Sequence, residues 1–331
     1  MRCILFLAAS LAWAEDPVAA LKSIQLPFDP TTGYLPALLK ALHVPIESQI
    51  AVFSKTSIQS LRIEPSNPRV LYFNDSVIVG SVRGGFIELA AQDPTRGIQF
   101  YTLQQRPDAS LLHREDCVNC HRSGTTLIRS VIPTPDGIPS SDSDKLWGGW
   151  FVTGAALPPD HMGNTAFAHS EKQELTPSVN SDVVALLVFA HQMRLMNLLA
   201  HPDNINELVD HLLFLDEVPL PARMQGSSGF TEKFETAGLR DHLGRSLREF
   251  NLETRLMRYP CSYMIYSDAF DALPADVKDS IYRRMWRILS GNSSDATGSR
   301  YQRLSRADRE AVIGILRETK PNLPAWFGAV N

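Results

Sequence analysis

The sequence predicts an α+β fold that is predominantly α, with a small antiparallel β region before residue 117 and a helical C-terminal half. Three observations support this prediction. Short runs rich in β-branched and aromatic residues alternate with turn residues between positions 50 and 104. From about residue 179 the apolar residues recur at helical spacing instead. With 331 residues, 44% of them apolar, the chain is long enough to bury a substantial core.

The N-terminal stretch MRCILFLAASLAWAED is typical of an export signal. One arginine precedes an apolar run, and Ala12-Trp13-Ala14 supplies the small residues that a signal peptidase accepts. The run is too short to span a bilayer. We therefore predict that residues 1–14 are a signal peptide, that the mature chain begins at Glu15, and that the protein is exported to a bacterial periplasm. The alternative is an N-terminal core helix.

A β-containing region is predicted over residues 15–175. It begins with a short amphipathic helix over residues 34–43. Turn sequences such as Asn-Asp, Arg-Gly-Gly and Asp-Pro-Thr-Arg-Gly then separate five short strands. The predicted strands cover residues 50–55, 69–74, 76–82, 86–92 and 97–104. The later stretch WGGWFVTG is compatible with a further strand that closes over a pocket.

A helical region is predicted over residues 176–331, after the polar linker 168–182. Its first helix follows the cap candidates Asn180, Ser181 and Asp182, and its apolar residues surround nearly the whole circumference. Such a helix should be central and buried. Further helices are predicted at about 203–214, 236–257, 268–290 and 305–318.

Residues 117–121 read Cys-Val-Asn-Cys-His in a chain with only four cysteines and nine histidines. This pattern would arise by chance in roughly one such chain in a thousand. A zinc site would need two further ligands at finger-like spacing, and none follows. A redox dithiol is expected at a strand-to-helix turn, and no helical pattern follows the motif.

Covalent haem attachment is the interpretation that the motif favours. Cys117 and Cys120 can each form a thioether to one haem vinyl group, while His121 presents a ring nitrogen to the iron. Without Cys3 the exported chain keeps three cysteines, an odd number that argues against a disulfide framework. The third, Cys261, is predicted to be a buried small apolar residue.

With this motif and the export signal, the chain resembles the c-type cytochromes. The stretches VLYFNDSVIVGSV, WGGWFVTG, HMGN and RYPCSYMIYSDAFDALP are more widely similar to those of large, secreted, single-haem cytochrome c-like proteins of bacteria. The resemblance implies one covalent haem c as cofactor, and it implies no particular reaction.

The second axial ligand decides whether the iron can bind a substrate. Met162 is the first candidate, because it follows two prolines on a predicted loop, 41 residues beyond His121. His161 and His191 are the alternatives, and an open iron is a fourth possibility. Each candidate also has a structural explanation, since methionines often fill cores and helix histidines often form internal hydrogen bonds.

Three further residues are candidates for the haem surroundings. Arg129 could pair with a haem propionate, while Trp147 and Trp150 could line the edge of the ring. A structural role is the alternative for each of them.

Two functions follow from haem attachment. The first is electron transfer between periplasmic partners, with an exported redox protein as partner. The second is a haem-dependent oxidoreductase, peroxidase-like or acting on a small molecule, with an open or weakly ligated iron. Chain length favours the second, because simple shuttles are much shorter and carry the motif near the mature N-terminus. Electron transfer is nevertheless the function that we predict, with the oxidoreductase as the alternative.

The composition argues against nucleic acid as a partner and against a membrane span in the mature chain. The mature chain has 31 basic and 36 acidic residues, a net charge of −5, and no basic stripe that would indicate nucleic-acid binding. No membrane span is predicted in it.

Overall fold

The prediction of a predominantly helical fold is wrong. Of the residues that the computed structural model describes, 38% are helical and 17% lie in strands, so the fold is α+β with a substantial β layer. The β layer is a six-stranded antiparallel sheet, and a separate pair of short parallel strands accompanies it. The described residues are 16–23, 25–53, 57–117, 150–154, 165–166, 180–217, 219–220, 222–291 and 301–328.

The main sheet is a meander in which each strand pairs with the next along the chain. Five strands lie close to the predicted positions, because turn side chains stop each run: Asn74 Oδ1, for example, accepts hydrogen bonds from the N–H groups of Ser76 and Val77. The sixth strand is too short to show a sequence pattern. The strands are β1 (Ile50–Val52), β2 (Arg69–Phe73), β3 (Val77–Ser81), β4 (Ile87–Asp93), β5 (Gly97–Leu103) and β6 (Leu112–His113), with the pair β7 (Phe151–Val152) and β8 (Thr165–Ala166).

Both faces of the sheet are buried. On β2, Leu71 and Phe73 join the larger apolar core, which contains the C-terminal helices, whereas Val70 and Tyr72 join a smaller core on the opposite face. Helix α1 (Leu35–Ala41) and the 3-10 turn over residues 19–23 cover that smaller core. Burial of both faces explains why the strand sequences are apolar runs rather than clean alternations.

The C-terminal helices lie against the other face of the sheet. The first, α2, begins after Asp182, whose side chain accepts hydrogen bonds from the Val184 and Ala185 N–H groups, so the predicted cap is confirmed. In length and composition, α2 is the one helix in the described ranges that could cross a membrane, yet 67% of it is buried inside the protein. The helices are α2 (Val183–Ala200), α3 (Ile205–Leu212), α4 (Phe230–Thr236), α5 (Asp268–Asp271), α6 (Ala275–Ser290) and α7 (Arg306–Thr319).

The helix predicted over 236–257 does not form. Asp241 Oδ1 accepts hydrogen bonds from two N–H groups in the turn that follows it, and Asn251 Oδ1 accepts three more. These local bonds compete with the helical ladder and stabilise turns instead. The helix predicted over 268–290 is divided at Pro274, because the residue before a proline is driven out of the helical conformation. Shorter helices in the C-terminal half are one reason why the fold is not predominantly α.

Segment 150–154 adds to the β1 edge of the sheet. Trp150 forms a β-bridge with Val52, and the Ser181 hydroxyl links the two segments. That hydroxyl donates to the Phe151 carbonyl at 2.5 Å and accepts from the Ala51 N–H at 2.8 Å. This segment therefore connects the sheet to the start of α2.

The Asp182 carboxylate is fully buried and joins three chain segments. Besides the two N–H groups of α2, it accepts hydrogen bonds from the Ser227 N–H at 2.6 Å and from the Ser228 N–H and hydroxyl, both at 2.9 Å. The Ser228 hydroxyl also contacts the Glu47 carbonyl at 2.7 Å. We call the set Ser181, Asp182, Ser227 and Ser228 the Asp182 joint.

Candidate functional site

Most of the predicted haem site lies outside the described residues. This is the case for Cys120, His121, Arg129 and Trp147, and for the candidate sixth ligands His161 and Met162. Their assignments stay predictions. Cys117, Trp150 and His191 are described.

Cys117 lies just after β6, at the edge of the larger core. Its side chain is partly buried and packs against that core, and its N–H donates to the Arg114 carbonyl at 3.4 Å. The Arg114 guanidinium is held in place by a two-point contact with the Asp116 carboxylate, at 2.8 and 2.6 Å. Cys117 therefore combines a defined backbone position with an apolar contact, which fits thioether attachment of a largely apolar ring.

Trp150 is a core residue. Its side chain is 1% exposed, and its ring meets the Phe189 ring edge-on with the centroids 6.0 Å apart. These contacts favour a structural role for Trp150 over a role in lining the edge of a haem.

His191 lies on α2 and is 7% exposed. Its Nε2 atom is 2.8 Å from the Ser262 hydroxyl, and its ring stacks between those of His211 and Phe214, with centroid separations of 4.5 and 4.2 Å. Burial, together with the neighbouring His211, lowers the pKa of His191 well below its usual value, so the ring is neutral. These contacts favour the internally bonded alternative, because iron binding through Nε2 would require loss of the Ser262 bond.

His211 connects His191 to a partly exposed ion-pair network. Its Nε2 faces the His191 carbonyl and its Nδ1 faces both Asp216 oxygens, all at 3.2 Å, so both ring nitrogens lie next to oxygen atoms. Arg194 contacts the Asp216 carboxylate at 2.6 Å and Glu207 at 3.3 Å. Although burial opposes ionisation, the hydrogen bond from His211 and the nearby charges lower the pKa of Asp216. This network was not predicted from the sequence. The one signal of it was a histidine, His191, inside an apolar helix.

Glu217 adjoins the network and keeps a proton at unusually high pH. Its Oε1 atom accepts the Leu256 N–H at 2.6 Å. Burial raises the pKa of Glu217 to about 7, and the nearby negative charge of Asp216 raises it further. The hydrogen bond from Leu256 and the positive charges of Arg255 and Arg303 lower the pKa, but they do not offset the effect of burial.

Replacement of Glu217 by glutamine is expected to change how stability depends on pH. The folded state holds a proton that the unfolded state releases near pH 4.5, so wild-type stability falls as pH rises from about 4.5 to 7. Glutamine keeps the acceptor for Leu256 and does not titrate. Urea denaturation at pH 8 should show a gain of about 3 kcal/mol over wild type, with little difference at pH 4.5. Glu253→Gln, at an exposed carboxylate, is the control. If Glu217→Gln changed the free energy of unfolding equally at pH 8 and pH 4.5, the raised pKa of Glu217 would be contradicted.

Cys261 is fully buried in the larger core, so the prediction for this residue is confirmed. Burial raises the pKa of its thiol, which keeps it protonated.

Within the described ranges, no three His, Cys, Asp or Glu side chains are grouped as ligands for a metal ion. No protein-family model, curated protein or solved structure matches the chain.

Proposed function

We propose that this chain is an exported monohaem c-type protein in which Cys117 and Cys120 hold the haem covalently and His121 is an iron ligand. The observation that carries the proposal is the Cys-Val-Asn-Cys-His motif, which chance alone would give in roughly one such chain in a thousand. The partly buried position of Cys117 at the edge of the core supports it. When bound, the haem supplies a one-electron redox centre.

Electron transfer between periplasmic partners is the activity that we propose for this centre. A haem enzyme needs a side chain that can move protons beside the iron. His191 could fill that role beside an open iron, but it is buried and bonded to Ser262, and its lowered pKa keeps it neutral. These observations support a carrier over an enzyme that uses His191.

Intact mass and the absorption spectrum of the denatured protein test the proposal. The full chain is expressed with its signal in cells that carry a haem c maturation system. A haem c spectrum and the added mass of one haem are the expected results. An unmodified mass would refute the proposal and favour a zinc or dithiol role for the motif.

Carbon monoxide binding tests both the carrier function and Met162. Because a six-coordinate iron resists external ligands, the reduced wild type should bind carbon monoxide slowly and Met162→Ala rapidly, with a changed spectrum. Met193→Leu, a volume-conserving change in the core, is the control. Rapid binding by the wild type would favour the oxidoreductase alternative, and an unchanged Met162→Ala spectrum would exclude Met162 as a ligand.

A further inference from the structure

A cavity of about 310 Å³ lies between the β2–β3 turn, the end of α1 and helix α4. Its volume is at the lower end of the range of small-molecule sites. None of the residues that line it belongs to the predicted haem site.

The apolar part of the cavity wall is aromatic. The Phe230 ring lies 5.6 Å from the Phe73 ring and 5.5 Å from the Phe234 ring, centroid to centroid. All three side chains are nearly buried, so their neighbours hold them in place. The small part of each ring that reaches the cavity offers a preformed apolar contact for a flat or aliphatic group.

Arg248 brings a fixed positive charge to this aromatic surface. Its guanidinium lies over the Phe234 ring at 4.5 Å and over the Tyr263 ring at 4.4 Å, and it forms an ion pair with Asp75. The Tyr263 hydroxyl donates to Gln192 at 2.8 Å, which fixes that ring in turn. A guanidinium held this way has lost its rotamer freedom before any anion arrives.

Two more nitrogen-bearing side chains line the cavity, the imidazole of His43 and the ammonium of Lys233. His43 and Lys233 are exposed, and neither side chain has a hydrogen bond or ion pair in the described part of the chain. His43 follows the C-terminal end of α1 with φ +53°, a backbone conformation in which glycine is the preferred residue. A histidine at this position costs backbone strain and places an imidazole at the cavity.

The cavity wall thus combines an aromatic surface with an excess of positive charge. The charges of Lys233 and Arg248 face one carboxylate, Asp75, which Arg248 already engages, so the Lys233 charge is in excess. A site that offers both positive charge and apolar surface favours a ligand that has an anionic group and an apolar body. We propose that the cavity binds a small organic monocarboxylate, with the carboxylate at the basic side chains and the apolar body on the phenylalanine rings.

Calorimetry with 3-phenylpropionate as probe tests this site in the full mature chain as purified. The neutral 3-phenylpropionamide and the cationic 3-phenylpropylamine have the same ring and nearly the same length. We expect the carboxylate to bind at least ten-fold more tightly than the amide, and the amine to show no binding. An unchanged visible absorption spectrum separates cavity binding from binding at a haem iron. Equal affinity for acid and amide, or no binding of the acid at millimolar concentration, would overturn the proposal.

Three variants assign the binding to the cavity. Lys233→Gln should weaken 3-phenylpropionate binding at least five-fold, whereas Arg287→Gln, the same loss of charge at an exposed site on α6, should leave it unchanged. His43→Gly should weaken binding without lowering Tm, because glycine relieves the positive φ. Equal losses in Lys233→Gln and Arg287→Gln, or full binding in both cavity variants, would contradict the site.

Discussion

Asp182→Ala is expected to lower the free energy of unfolding by about 4 kcal/mol, since each buried donor left without a partner costs roughly 1 to 3 kcal/mol and costs at one shared acceptor are not additive. The Asp182 carboxylate accepts five hydrogen bonds, four from backbone N–H groups and one from the Ser228 hydroxyl. Its removal leaves buried donors without an acceptor, so the cost exceeds that of an ordinary cap replacement. Urea denaturation of the purified chain measures the loss.

Two further variants identify the cause of that loss. Asp203→Ala removes an exposed carboxylate just after α2 and should change stability by less than about 0.5 kcal/mol. Asp182→Asn should also destabilise, because each carboxylate oxygen faces N–H donors and one of them would become an NH₂ group. A loss below about 1 kcal/mol in Asp182→Ala would show that water or neighbouring groups replace the carboxylate.

Gly226 supplies an independent test of the same joint. A Cβ atom at this position would lie 2.6 Å from Asp182 Oδ2, so Gly226→Ala should destabilise the protein as well. Because the clash requires the carboxylate, the double variant Gly226→Ala with Asp182→Ala should lose less than the sum of the single losses.

The double variant Cys117→Ala, Cys120→Ala is expected to lose covalent haem completely. Each thioether consumes one of these sulfurs, so haem should then be extractable into acidified organic solvent and absent from the intact mass. Each single variant keeps one possible thioether and should retain part of the attached haem. Cys261→Ala, at a buried thiol outside the motif, is the control and should carry haem at the wild-type ratio in its folded fraction.

Haem retention by the double variant would refute the assignment of the motif. Complete haem loss in Cys261→Ala, with the chain still folded, would instead move the attachment to the third cysteine. The two results are distinguishable by intact mass of each purified variant.

Local sequence signals predicted the elements that local interactions decide. The five runs that became β1 to β5 were found from their turns, and Asp182 was found as a cap from its position before an apolar helix. The false helix over 236–257 shows the limit, because Asp241 and Asn251 direct the backbone into turns inside an apparently helical pattern.

Contacts between residues far apart in the chain could not be predicted from the sequence. His191 meets Ser262, which is 71 residues away, and Arg248 meets Asp75 across 173 residues. No spacing rule links such pairs, because their approach depends on how the helices pack on the sheet. Neither the histidine network nor the cavity could therefore be predicted.

The Asp182 joint also sets an order of events for a chain that emerges from its N-terminus. The Ser228 hydroxyl lies 2.7 Å from the Glu47 carbonyl, 181 residues away, and the Ser181 hydroxyl accepts from the Ala51 N–H, 130 residues away. Contacts at such separations form late, because the entropy lost in closing a long loop precedes the favourable energy of the contact. The joint can therefore close only after residue 228 has emerged, when residues 117–121 are already free of the ribosome.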